Sequence, residues 1–160
     1  MALTIEDGTV VSSANSYITD AEFTAYADSR GFTYPTTAAL REPLIIRAMD
    51  YLENQPYKGW RVDPDNQLLP FPRSNVWSNG RVIDSTEIPR ELKSAQNEAA
   101  IAAYTQDLQI NTVTENVASE SLGSLSISYH NRGKSGKIRL DRVMNYLASL
   151  LTVSDSLVRT

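Results

Sequence analysis

Apolar positions recur at helical spacing in four stretches of the chain and at strand spacing in one. Between Thr19 and Gly31, Phe23, Tyr26, Ala27 and Arg30 share one helical face. Thr19 and Glu22 stand at capping-box spacing, in which each side chain satisfies a backbone donor near the other. Ile18 and Phe23 stand at staple spacing, and Gly31 supplies a left-handed stop. A second helix is predicted from about Pro43 to Asn54, with a preliminary turn from Thr37 left open. Proline fits a first turn but costs ~3 kcal/mol in a helix interior, so Pro43 is placed at the start. Leu44, Ile45, Ala48, Met49, Tyr51 and Leu52 make a stripe wide enough for a central helix.

Pro89 opens a third helix that runs to about Asp107. Its stripe of Leu92, Ala95, Ala99, Ala102 and Ala103 is mostly small, which lets a neighbouring helix approach closely. Packing inside the monomer is preferred here to a contact between subunits. The last helix spans Leu140 to Leu151, with Val143, Met144, Leu147, Leu150 and Leu151 on one face. In between, Leu125, Ile127 and Tyr129 alternate with serines, which is strand spacing. Val113, Glu115 and Val117 offer a partner strand, with Gly123 near the reversal, giving a hairpin over about 113–129. Two strands alone are marginal in water, so this hairpin must pack on helices or pair with another chain.

Two irregular stretches complete the chain. Met1–Ser16 reads as an extended lead-in, with a turn at Asp7-Gly8 and an anchor at Val10-Val11. Tyr57–Ser74 holds three of the seven prolines, which exclude helix, yet Trp60, Leu68, Leu69 and Phe71 are too apolar for a solvated linker. A long loop pinned to the body by those side chains follows. The predicted fold is mainly α (α+β): a bundle of about four helices with one β-hairpin, a packed loop and an extended C-terminal arm. Residues 1–151 form the domain and 152–160 the arm.

Charge sharpens this division. The net charge is −4, but residues 1–129 carry 17 acids and 9 bases, whereas residues 130–160 carry 6 bases and 2 acids. The C-terminal part therefore meets something different from the rest, or neutralises the acidic body. Cysteine is absent, which excludes disulfides and thiolate metal sites. The start of the chain has no basic leader followed by an apolar run, and no apolar run is long enough to span a bilayer, so a cytosolic protein without membrane contact is expected.

Chemistry is poorly supplied. His130 is the sole histidine, and no G-x-S-x-G context accompanies it. Gly133-Lys134-Ser135 echoes a phosphate loop, but the required first glycine is replaced by Ser128. Asp63 and Asp65 lack the glycine and glutamate of a calcium loop. No catalytic residue, cofactor or metal is expected. Arg132, Lys134, Lys137, Arg139 and Arg142 make a basic run beside Tyr129. Single-strand binders interleave several aromatics with their cations, and one tyrosine is thin support, so a solvated basic loop is the simpler reading. Leu157 and Val158 are apolar in an otherwise polar terminus, where fraying is the ordinary expectation.

Several short stretches, in order along the chain, carry a resemblance. They are Ala14-Asn15-Ser16-Tyr17, Ala48-Met49-Asp50-Tyr51-Leu52, Gly59 followed by Leu69-Pro70-Phe71-Pro72-Arg73-Ser74, Ile88-Pro89, and Val158-Arg159. Together they resemble the head–tail adaptor (head completion, connector) proteins of tailed bacteriophages, some of which are described as DnaT-like single-stranded-DNA-binding proteins. Phe71 stands where that family usually has tryptophan, and Tyr34 stands near a second such place. The resemblance implies a structural protein of the virion, made in the host cytoplasm, that forms a ring on the portal protein. A dodecamer is expected, extending the DNA channel and presenting a surface to a downstream neck or tail-completion protein. It implies that an arm of Leu157, Val158, Arg159 and Thr160 docks on the portal. Arg132, Lys134, Lys137 and Arg139 would then meet either packaged DNA, non-specifically through phosphates, or the acidic body of a neighbouring subunit. The alternative is a DnaT-like single-stranded-DNA-binding replication accessory.

Overall fold

The computed structural model describes residues 2–108, 119–122, 125–128 and 139–152. Four helices carry the architecture: α1 (Asp20–Asp28), α2 (Ala38–Glu53), α3 (Arg90–Thr105) and α4 (Asp141–Leu147). α3 packs against both α2 and α4, and α1 lies against α2 and α3. This is the expected mainly α, α+β class. Two compact units are present, 1–108 with 140–160 and 109–139. The second contains an antiparallel pair, β5 (Ser119–Leu122) with β6 (Leu125–Ser128). β6 falls where the alternation placed a strand. Its partner is 119–122 instead of 113–117, because Leu122 pairs with Leu125 and leaves only two residues for the connection.

Local chemistry accounts for the helix ends. The Thr19 hydroxyl accepts from the Glu22 N–H, and the Glu22 carboxylate accepts from the Thr19 N–H, so the capping box is complete. Gly31 takes a left-handed φ of 68°, and the Phe32 N–H turns back to the Ala27 carbonyl. Ile18 and Phe23 are both buried. α2 differs from expectation: it begins five residues before Pro43, which sits inside it. The first turn is exposed and is tied to the chain before it by its own Arg41, which donates to the carbonyls of Pro35 and Thr36 and to both carboxylate oxygens of Asp20. That fastening offsets the backbone bond the proline cannot make. Beyond it, all six predicted stripe residues of α2 are buried.

α4 ends earlier than predicted, at Leu147. The chain after it is tied to the stretch following α2. Lys58 donates its N–H to the Leu150 carbonyl and its Nζ to the Ser149 carbonyl, while the Thr152 N–H reaches Pro56. A bridge joins Tyr57 to Leu151. These external acceptors and donors replace the helical ladder, yet Leu150 and Leu151 stay buried as expected.

The lead-in is not extended. Ile5 pairs with Ser16, and the intervening loop closes around Glu6, whose buried carboxylate accepts N–H donors from Gly8, Val10 and Val11. The anchor is therefore this acid, and Val10 and Val11 are only half-buried. Three donors on one carboxylate satisfy the charge that burial would otherwise penalise.

Candidate functional site

The Tyr57–Ser74 stretch was expected to be irregular and pinned by its apolar side chains, and the structure divides it. Phe71 and Leu69 are buried, and the Tyr57 ring meets Phe71 edge-on at 5.4 Å. The Tyr17 hydroxyl accepts the Phe71 N–H at 2.7 Å and lies 3.3 Å from its carbonyl oxygen. Burial pushes the Tyr17 and Tyr57 phenols well above their ordinary range, so both stay protonated and able to donate. Arg73 donates to the carbonyls of Lys58, Gly59 and Pro70. Gly59 has φ 69°, and a Cβ there would lie 2.2 Å from the Ser74 carbonyl oxygen, so the close approach demands glycine. Gln67 bridges the same stretch, donating to Leu69 and Pro72 and accepting from Val62.

Trp60 and Leu68 do not pin anything. Trp60 is 71% exposed and Leu68 53%. Trp60 lies in β1 (Trp60–Arg61), which pairs antiparallel with β2 (Arg73–Ser74). One residue further on, β3 (Val76–Ser78) pairs with β4 (Arg81–Ile83) across Asn79-Gly80. Both turn residues have positive φ, 48° and 80°, the conformation that matches the twist of a two-residue hairpin. Neither strand pair was predicted. Asn-Gly is a turn dipeptide in any sequence, but strands of two and three residues carry no alternation to read.

This short hairpin has two faces. Val76, Ser78 and Ile83 are buried, while Trp77 and Val82, which oppose each other in the ladder, are 61% and 55% exposed. The cations of this segment are engaged locally. Arg81 pairs with both carboxylate oxygens of Glu87, and Arg61 donates to the Gln67 carbonyl. Residues 57–87 hold four acids and four bases, so the exposed tryptophans stand on a neutral segment.

A second feature is a cleft of about 230 Å³ between α3 and the start of α4, lined by Glu98, Ile101, Thr105, Leu140 and Val143 among others. Glu98 is buried, accepts from the Tyr26 hydroxyl at 2.9 Å and lies 3.9 Å from Arg142. Burial, then the bonds to Tyr146 and Glu98, push the Tyr26 phenol far above its ordinary range. Among the described residues, no group of three His, Cys, Asp or Glu side chains stands close enough to hold a metal ion. No helix among them is long and apolar enough to cross a membrane.

Of the predicted site residues, Arg139 is described and exposed, just before Leu140. Arg132, Lys134 and Lys137, and the arm residues Leu157, Val158, Arg159 and Thr160, lie outside the described residues. Within the described residues, the stretches that carry the resemblance supply structural contacts. Tyr17 holds Phe71, and Asn15 accepts the Thr4 N–H. The Tyr51 hydroxyl accepts the Leu140 N–H, and Pro89 caps α3. Gln96, missed in the sequence, is fully buried and binds the Tyr17 N–H, the Ser16 hydroxyl and the Ile45 carbonyl.

These features define a small mainly α domain organised around one long, fastened surface segment. The chain belongs to the family described as "Putative DnaT-like ssDNA binding protein", whose model matches residues 1–160. No curated protein and no solved structure matches it.

Proposed function

We propose that the protein is a structural head–tail adaptor of a tailed bacteriophage. It assembles as a ring on the portal, extends the DNA channel and joins the head to the tail. The supporting observation is the character of the 57–87 segment. It presents large apolar side chains on a neutral, internally fastened scaffold, which suits contact with protein surfaces. Single-stranded nucleic acid would instead call for exposed aromatics among surplus cations. The ordered resemblance along the chain supports the same reading, including Val158-Arg159 as part of a portal-binding arm. Portal, tail-side partner and virion location all belong to this proposal.

Light scattering of the chain alone and mixed with the portal protein of its own genome tests it. The expected result is a mass of one portal ring plus a full set of copies, lost on deletion of residues 152–160. Independent elution overturns it. A second reading takes up the family's description, a single-stranded-DNA-binding replication accessory. That reading predicts DNA affinity that falls steeply with salt, whereas the adaptor needs almost none in solution.

A further inference from the structure

Asn79 and Gly80 form the tip of the β3–β4 hairpin, and both are exposed. Asparagine carries a slow reaction of its own, in which the next backbone nitrogen attacks its side-chain carbonyl carbon. That nitrogen must be free of hydrogen bonds and of crowding side chains. Ser78 and Arg81 close the turn as the hydrogen-bonded pair of the ladder, so the Gly80 N–H lies outside it. A Cβ on Gly80 would meet nothing within 4 Å. The Asn79 Nδ2 is held loosely, 3.5 Å from Glu91 Oε1. The other asparagines with described successors lack this combination. After Asn15, the Ser16 N–H donates to the Thr4 carbonyl, and both ends of the Asn15 amide are bonded. After Asn54 and Asn66, the N–H groups of Gln55 and Gln67 donate to Leu52 and Asp63. Asn75 precedes Val76, a buried and branched side chain. Asn97 and Asn145 lie inside α3 and α4, where the helical ladder engages the N–H that follows.

We propose that Asn79 is a site of spontaneous deamidation in the folded, free chain. The Gly80 N–H gives up its proton to hydroxide, and the nitrogen bonds to Asn79 Cγ. The bond from Cγ to Nδ2 breaks, and the amide takes a proton from water and leaves as ammonia. A five-membered succinimide now closes across the turn. Water opens the ring at either carbonyl. One opening gives aspartate, and the other gives isoaspartate, in which the main chain runs through the side-chain carbons. Either product adds a negative charge to a segment, 57–87, that holds four acids and four bases. The new carboxylate stands where the amide met Glu91, so a weak hydrogen bond becomes a repulsion. Isoaspartate also adds a backbone atom to a turn whose two-residue length sets the strand register. The exposed Trp77–Val82 pair beside the turn then loses its alignment. The hairpin tip is thus a chemical clock on the surface that the tryptophan occupies. It rests on neither functional reading and runs alike in an adaptor and in a DNA-binding protein.

The test holds the full chain at mildly alkaline pH, folded in buffer and unfolded in urea, beside a folded Asn79→Gly variant. Gly-Gly suits the same two-residue turn and carries no amide to lose. Ion exchange follows the charge, and peptide mass mapping locates the change. The expected result is an acidic shift of one charge in the folded chain, with the amide lost at Asn79 ahead of every other described asparagine. Asn79→Gly shows no such shift. A folded chain that keeps the Asn79 amide while the unfolded chain loses it overturns the proposal, because the turn then protects the site. An amide kept in both samples overturns it too, as does an equal acidic shift in Asn79→Gly. Hydrogen exchange on the isoaspartate fraction reads the consequence. Faster exchange at the Ser78 and Arg81 amides is expected, and unchanged protection there overturns the loss of alignment while keeping the site.

Discussion

Two neighbouring regions, the fastened core of 57–74 and the hairpin 76–83, use their side chains differently. The first turns Phe71, Tyr57 and Arg73 inward, with Phe71 under Tyr17, Tyr57 on Phe71 and Arg73 on three carbonyls, and leaves Trp60, Val62 and Leu68 outside. The second keeps only Val76, Ser78 and Ile83 inside and turns Trp77 and Val82 out. An aromatic residue thus has two jobs here, and sequence does not say which one a given position holds. The inner set fixes a frame, and the outer set uses the rigidity of that frame to hold a surface in place.

Breaking the inner set should give the largest loss of stability. Phe71→Ala empties a fully buried position and should cost about 3–5 kcal/mol in chemical denaturation. Gly59→Ala should cost at least about 1–2 kcal/mol, from the left-handed φ alone, before the contact with Ser74 is counted. Gln96→Leu leaves buried partners near Tyr17, Ser16 and Ile45 unsatisfied, at about 1–3 kcal/mol. Equal stability in any of these would mean that the frame is not what holds the segment.

Smaller effects sharpen the contrast. The Arg41 guanidinium holds Asp20 below its ordinary value of 3.8. A lowered carboxylate contributes stability that is complete above the unfolded value and is lost as pH falls through the lowered one. The pair is partly exposed, so Asp20→Asn should cost no more than about 1 kcal/mol at neutral pH and flatten the acid limb of the stability curve. Trp77→Ala should change stability least, by within about 0.5 kcal/mol, because the ring is mostly in solvent. A large loss there would place Trp77 with the inner set.

Much of the helical frame was legible because its signals are local. The Thr19–Glu22 box, the Gly31 stop and the α2 stripe each lie within a few residues. What stayed hidden depends on partners far away in the chain. Gln96 and Tyr17 are 79 residues apart, and Arg41 and Asp20, which sustain the helix around Pro43, are 21 apart. Glu6 drew no reading of its own, because nothing in an isolated acid announces three backbone donors. The exposed Trp77–Val82 pair escaped because its strands are too short for periodicity. Among the described residues behind the family resemblance, Asn15, Tyr17, Tyr51 and Arg73 hold other parts of the chain, which explains why they point to a fold more readily than to an activity.

The ties between Lys58 and Leu150 and between Thr152 and Pro56 have a mechanical consequence. Thr152 is clamped at the root of the segment that carries both tryptophans. A load that reaches Thr152 therefore meets these paired backbone groups, beside the end of α2, before it reaches the hairpin.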